Sequence, residues 1–123
     1  MRCVLNVIKN PVCLILPLFF VLAGCQHAPA NMYQWGSYEQ QLYVMYFDPG
    51  NVPVVKQLED LEQDYQKVRA ANGTVPPGFH AHLGYLYFQS GKTDQALQSF
   101  ATEKTLFPES AVYMDRLIAR LKK

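Results

Sequence analysis

His80 and His82, one residue apart, are the first pair in this chain whose type could bind a metal, with His27 an outlying third. Side chains two apart on a helix point in different directions, so the pair does not converge on one ion. No second ligand cluster accompanies it, and neither a metal nor another cofactor is expected. Asp60, Glu62 and Asp64 place three carboxylates beside Lys67 and Arg69. Paired carboxylates do acid–base work only where shielding raises a pKa, and this pattern reads as the solvated face of a helix. No serine stands in a nucleophile elbow between a strand and a helix. Enzymatic activity is therefore not expected. The residue whose surroundings do announce chemistry is Cys25. Arg2 and Lys9 give a positive start, residues 12–21 an apolar run, and Ala23 and Gly24 small residues just before the cysteine. That order is a secretory signal.

Leu22-Ala23-Gly24-Cys25 resembles the bacterial lipobox. The resemblance implies cleavage before Cys25, a diacylglyceryl group on its sulfur and an acyl chain on the new amine. Residues 1–24 are then a lipoprotein signal peptide and 25–32 a lipidated tether. Three acyl chains exceed the two anchoring signals that stable attachment needs. Gln26 stands where an Asp would retain an enteric lipoprotein at the inner membrane, so the expected address is the outer membrane, on its periplasmic face. The apolar run falls short of the about 20 residues of a spanning helix.

Loss of Arg2 and Lys9 takes 11 basic residues to 9, against 10 acidic ones. No basic surplus is left to hold nucleic acid through its phosphates. Cys3 and Cys13 leave with the signal and Cys25 takes lipid, so the domain folds without a disulfide in an oxidising compartment. Its aromatic residues must supply the core. The tether, Gln26 to Met32, reaches at most about 25 Å when extended.

Hydrophobic spacing predicts helices in the remainder. Trp35, Tyr38, Leu42 and Tyr46 suit one helical face, and Asp48-Pro49-Gly50-Asn51 is a turn. Val54, Leu58, Leu61, Tyr65 and Val68 form the stripe of a second helix, which Asn72-Gly73 and Pro76-Pro77-Gly78 end. A last helix starts near Glu109, with Val112, Tyr113, Leu117, Ile118 and Leu121 as its stripe.

Between these, Leu83, Gly84, Tyr87, Gly91, Ala96, Phe100 and Pro108 fall at the offsets of a 34-residue unit that begins at Pro77. This pattern resembles a tetratricopeptide repeat. Gly84 would let two helices approach closely, Tyr87 fill the groove, Gly91 end the first helix, Thr93 cap the second, and Pro108 stop it. His80 replaces the usual tryptophan, and Glu103 stands where a small residue is usual, which would crowd or charge the contact between helices. The expected fold is all-α: about five helices in tetratricopeptide-like stacked hairpins over residues 33–123, with the clearest repeat at 77–110.

Tyr33-Gln34-Trp35-Gly36-Ser37-Tyr38-Glu39, Leu42-Tyr43, Pro76-Pro77-Gly78, Leu83-Gly84-Tyr85, Glu103-Lys104, Pro108-Glu109-Ser110 and Met114 together resemble a family of small bacterial lipoproteins, the domain of unknown function number 4810. The resemblance covers residues 25–123 and makes an acidic residue at 103 expected. It implies an outer-membrane lipoprotein encoded beside CsgG-like curli-secretion lipoproteins, hence a non-enzymatic, protein-binding accessory or scaffold of such an assembly. One alternative is a pilotin-like escort of an outer-membrane subunit. Another is a cell-wall or small-molecule binder, which would require a concave pocket of convergent polar groups around Tyr87 and His80. Trp35, Gly36 and Tyr38 are either a docking surface or, the preferred reading, a lid on the first hairpin.

Overall fold

The computed structural model describes residues 31–123. The signal peptide and Cys25 lie outside the described residues. Five α-helices follow one another: α1 (Tyr38–Phe47), α2 (Val54–Ala70), α3 (Phe79–Gln89), α4 (Thr93–Leu106) and α5 (Ala111–Leu121), with a 3-10 turn at Pro108–Ser110. Among the described residues there is no strand, and no helix is long and apolar enough to cross a membrane.

Helix α2 follows its sequence closely. Leu58, Leu61 and Val68 are buried, with Val54 and Tyr65 packed beside them. Lys67 and Arg69 occupy its last turn, where the helix dipole favours positive charge. Asn72, in the left-handed region at φ 50°, turns the chain out. The stripe of α2 meets Tyr38, Val75, Phe79, Leu83 and Leu86 in the larger of two cores. The smaller core joins Ala96 and Phe100 of α4 to Met114 of α5, with Leu117, Ile118 and Leu121 around them.

The two terminal helices depart from the expected stripes. Gly36, at φ 53°, delays α1 until Tyr38, so Trp35 is outside the helix. The buried residues of α1 are Tyr38, Gln41 and Val44, and Tyr46 faces water. The buried Gln41 donates its Nε2 to Ser37 Oγ at 3.2 Å, while its Oε1 is buried without a partner. In α5, Val112 and Tyr113 are exposed and Met114 is the buried residue. Residues 114, 117, 118 and 121 keep the spacing of one helical face, and 112 and 113 do not. Thr93 does not cap α4: it is the first helical residue, and no side chain caps that end.

Glu103 governs how the α3–α4 hairpin closes. It is 2% exposed. Its Oε1 accepts the Gly78 N–H at 2.6 Å, and its Oε2 accepts those of His80 at 3.1 Å and Ala81 at 3.3 Å. The Phe79 N–H goes to the Pro76 carbonyl. The N–H groups that a helix start leaves without intrahelical partners are thus all taken, three of them by a carboxylate from the next helix at the positive end of the α3 dipole. Gly78 has φ 89°, and a Cβ there would meet the Tyr38 hydroxyl at 2.7 Å. The expected crowding by Glu103 is thus replaced by a cap that draws the two helices together.

Gly84 makes the other close contact of the hairpin. A Cβ there would lie 2.7 Å from the Phe100 ring and 3.2 Å from the Ala96 carbonyl oxygen. Both neighbours are buried, which leaves the ring little room to move.

Two stability predictions follow from the hairpin. Glu103→Ala leaves three N–H groups without their acceptor, that of His80 buried and the other two half-buried, and is expected to cost about 2–4 kcal/mol in denaturant unfolding. Glu103→Gln, which turns an amide nitrogen toward N–H donors, is expected to fall between it and the wild type. Gly84→Ala improves helix propensity by about 1 kcal/mol but overpacks Phe100 by about 1–3 kcal/mol. A lower melting temperature is expected, and a higher one would refute the close-contact reading.

Candidate functional site

A cleft of about 620 Å³ opens between α2, α3 and α4, and each wall is one helical face. Helix α2 contributes Glu59, Glu62, Gln63, Gln66 and Arg69, which recur at the spacing of its buried stripe but one step around the helix. Helix α3 contributes His80, Leu83 and Tyr87, and α4 contributes Gln95, Gln98, Ser99 and Thr102. Tyr65 forms part of the floor. The Tyr65 ring stands edge-on to the His80 ring at 4.9 Å, and the Arg69 guanidinium lies 5.8 Å from the centre of the Tyr65 ring.

The Tyr87 hydroxyl donates to Glu62 Oε1 at 2.6 Å. Burial and that carboxylate together push the Tyr87 phenol well above its ordinary pKa, so it stays a neutral donor. The Tyr38 phenol, at the start of α1, is pushed up to about 12, mainly by burial. Besides its two tyrosines, four carboxamides and the hydroxyls of Ser99 and Thr102 line the cleft with Glu59, Glu62 and Arg69. A carboxamide both donates and accepts, so this lining matches a ligand that alternates the two, as a polypeptide backbone does.

All three clustered carboxylates have partners, and two of them reach to other segments of the chain. Asp64 Oδ2 accepts the Ser37 N–H at 2.6 Å, and Oδ1 pairs with Lys67 at 3.3 Å. Burial works to raise the Asp64 carboxyl, but the hydrogen bonds from Ser37 and Lys67 outweigh it and hold it below its ordinary value. Asp64 therefore ties the segment before α1 to α2. Glu62 is the Tyr87 acceptor, and Asp60 is paired with Lys56 across one helical turn at the surface. The solvated-face reading is right for Asp60 and too bland for the other two. Sequence offered one signal for the cleft, polar residues at helical spacing on α2 and α4, and that signal equally describes any wet face.

The remaining candidates are dispersed. Cys25 lies outside the described residues. Trp35 is 43% exposed and stacks on the buried Tyr38 ring at 6.2 Å. Gly36 sits against Asp64, where a Cβ would meet Oδ2 at 2.5 Å. Among the repeat-signature residues, Leu83, Gly84, Ala96 and Phe100 are buried in the hairpin, Tyr87 lines the cleft, Gly91 has φ 74° after α3, and Pro108 opens the 3-10 turn. His80 and His82 are both buried, and neither Nε2 has a partner. Among the described residues no three His, Cys, Asp or Glu side chains form a group that could hold a metal ion.

An all-α domain of hairpins around a polar cleft is the class that these features define. Residues 32–117 match Domain of unknown function (DUF4810). The chain belongs to that family. No curated protein and no solved structure matches it.

The buried histidines make a pH prediction. Burial lowers the pKa of both, that of His82 to about 4. A base with a depressed folded-state pKa contributes stability that is full above its unfolded value near 6.5 and is lost as pH falls toward 4. Burial raises the Glu103 carboxyl against the pull of its three N–H donors, and this gives the opposite slope. That second slope is common to the wild type and His82→Leu and cancels between them. The stability of the wild type relative to His82→Leu is expected to fall by about 3 kcal/mol from pH 7 to pH 4 in denaturant titrations. A constant difference would show that His82 is not held neutral by burial.

Proposed function

We propose that this protein is a lipid-anchored, non-enzymatic scaffold of the bacterial outer membrane that holds a segment of a partner protein in the cleft between α2, α3 and α4. The observation that carries the reading is the cleft itself, open, lined by carboxamides and hydroxyls that can both donate and accept, with Glu59 and Glu62 toward the start of α2 and Arg69 toward its end. Ten residues of helix separate Glu59 from Arg69, a rise of about 15 Å that matches four or five extended residues. Binding rather than turnover fits these side chains: Glu59 stands in water and Glu62 is committed to Tyr87, which leaves no shielded carboxyl for acid–base work.

The anchor reading rests on Leu22-Ala23-Gly24-Cys25, and the outer-membrane address on Gln26. The partner favoured by the family resemblance is a CsgG-like lipoprotein, for which the protein is an accessory of assembly or a pilotin-like escort. Confinement of both proteins to one membrane raises their effective concentration and makes a modest cleft sufficient. His80 and Tyr87 in the lining also favour a second reading, a polar cell-wall fragment as ligand.

Crosslinking in intact envelopes tests the proposal. The lipidated protein is expected to capture a CsgG-like lipoprotein. Cys25→Ser should weaken capture, and the double variant Gln66→Lys, Gln98→Lys, at two exposed cleft positions, should abolish it. Undiminished capture by the double variant would remove the cleft from the binding site. Recovery of cell-wall fragments alone would favour the second reading.

A further inference from the structure

Helix α1 carries large side chains on both of its sides. Tyr38, Leu42 and Val44 pack inward, while Tyr43, Tyr46 and Phe47 are 57%, 71% and 75% exposed. The rings of Tyr43 and Phe47 stack at 5.1 Å. A helix with apolar residues all round is ordinarily covered on all sides. In a domain this small, aromatic rings left in water are withheld from a core that has few to spare. We propose that the outer face of α1 rests on the headgroup region of the bilayer that anchors Cys25, so that the cleft opens away from the membrane. This inference rests on the lipid-anchor reading above.

Reach is the first argument. The seven residues 26–32 extend at most about 25 Å, and α1 begins five residues after Tyr33. No other helix follows the anchor so closely. Chemistry is the second. Tyrosine has an apolar ring and a polar hydroxyl, the combination enriched at membrane–water interfaces. α1 has no lysine or arginine, and Glu39 within it and Asp48 just beyond it are exposed carboxylates. That composition suits the ammonium groups of zwitterionic headgroups and gives no electrostatic attraction to anionic lipid.

Direction is the third. Helix α3 touches α1 through the His82 and Tyr38 rings, 5.9 Å apart, and an apolar groove beside them joins Val44 and Met45 to Tyr85, Leu86 and Gln89. Its cleft residues are His80, Leu83 and Tyr87. At 100° per residue these two sets lie on roughly opposite sides of α3. A bilayer under α1 therefore leaves the cleft facing outward, where a partner's chain can enter.

The test uses the mature lipidated protein in zwitterionic phospholipid vesicles. Trp35→Phe removes the single tryptophan of the chain and keeps a ring over Tyr38. In that background Phe47→Trp reports on the α1 face and Gln98→Trp on the cleft, both at exposed positions. Lipids brominated near the headgroup are expected to quench the tryptophan at 47 by about twofold or more, insensitive to salt, and to spare the one at 98. Protein that floats with the vesicles while the tryptophan at 47 stays unquenched would overturn the inference and leave the anchor standing. Protein that does not float would overturn the anchor, and this inference with it. A blue shift at 47 that grows with protein density without bromine quenching would assign the face to a second copy and overturn the membrane reading.

Discussion

A carboxylate buried between two helices, Glu103, is the contact on which the arrangement of this domain depends. Pro76-Pro77-Gly78 breaks the chain after α2, and α3 then begins at Phe79 and His80 inside the protein, with Gly78 and Ala81 half-buried beside them. An uncapped helix start in that position would leave one buried and two half-buried donors unmet. Glu103 satisfies three of them from α4. In doing so it fixes how far α4 slides along α3 and which way α3 is rotated, because only one rotation brings the N–H groups of 78, 80 and 81 to the same carboxylate. Burial alone opposes an ionised group there, and the helix dipole and the three donors are what make it tolerable.

Rotation of α3 matters because every side of that helix has a different neighbour. Ala81 and Gly84 face α4, where the missing side chain of Gly84 admits the Phe100 ring. His82 and Leu86 face α1 and its groove, and His80, Leu83 and Tyr87 face the cleft. A single helix therefore sets the closeness of the hairpin, the seat of α1 and the floor of the cleft. The Tyr87–Glu62 and Ser37–Asp64 hydrogen bonds then hold α2 to α3 and to the start of α1. Those bonds link segments more than twenty residues apart, so α2, although joined to its neighbours by long connections, has a defined place.

What sequence alone made legible was the periodic part. The α2 stripe and the α3–α4 hairpin follow from apolar spacing, Gly and Pro punctuation, and a repeat pattern whose residues are mostly buried. Aromatic residues misled where they were most frequent. Tyr46 in α1 and Tyr113 in α5 count as apolar in a periodicity argument, yet both face water, because a phenol tolerates either environment. Met114 and Gln41 were the converse. Glu103 was noticed as an exception to the repeat, but its partners are backbone groups more than twenty residues earlier, and no side-chain pattern announces a backbone donor. The cleft was hidden for a related reason. Its glutamines on α2 and α4 have the spacing of a solvated face, and only the packing of three helices turns two such faces toward each other.

Composition and architecture converge on one further point. The domain has no cysteine beyond position 25, so apolar burial must carry its stability. It nonetheless leaves three aromatic rings of its first helix outside and spends buried positions on Glu103, His80, His82 and Gln41. Buried polar groups specify one arrangement when they are satisfied, and the Glu103 cap is fully satisfied. Exposed rings specify nothing in a free domain. On the proposed reading, a bilayer surface would give them the burial they lack in water, and a lipid tether would hold the cleft within reach of other anchored proteins. Under that proposal orientation would become part of binding: a cleft fixed at one angle to the membrane would present its Glu59 and Arg69 ends to a partner in one direction only. A flexible display would lose that selectivity, and this is the physical argument that links the proposed anchor to the aromatic face of α1.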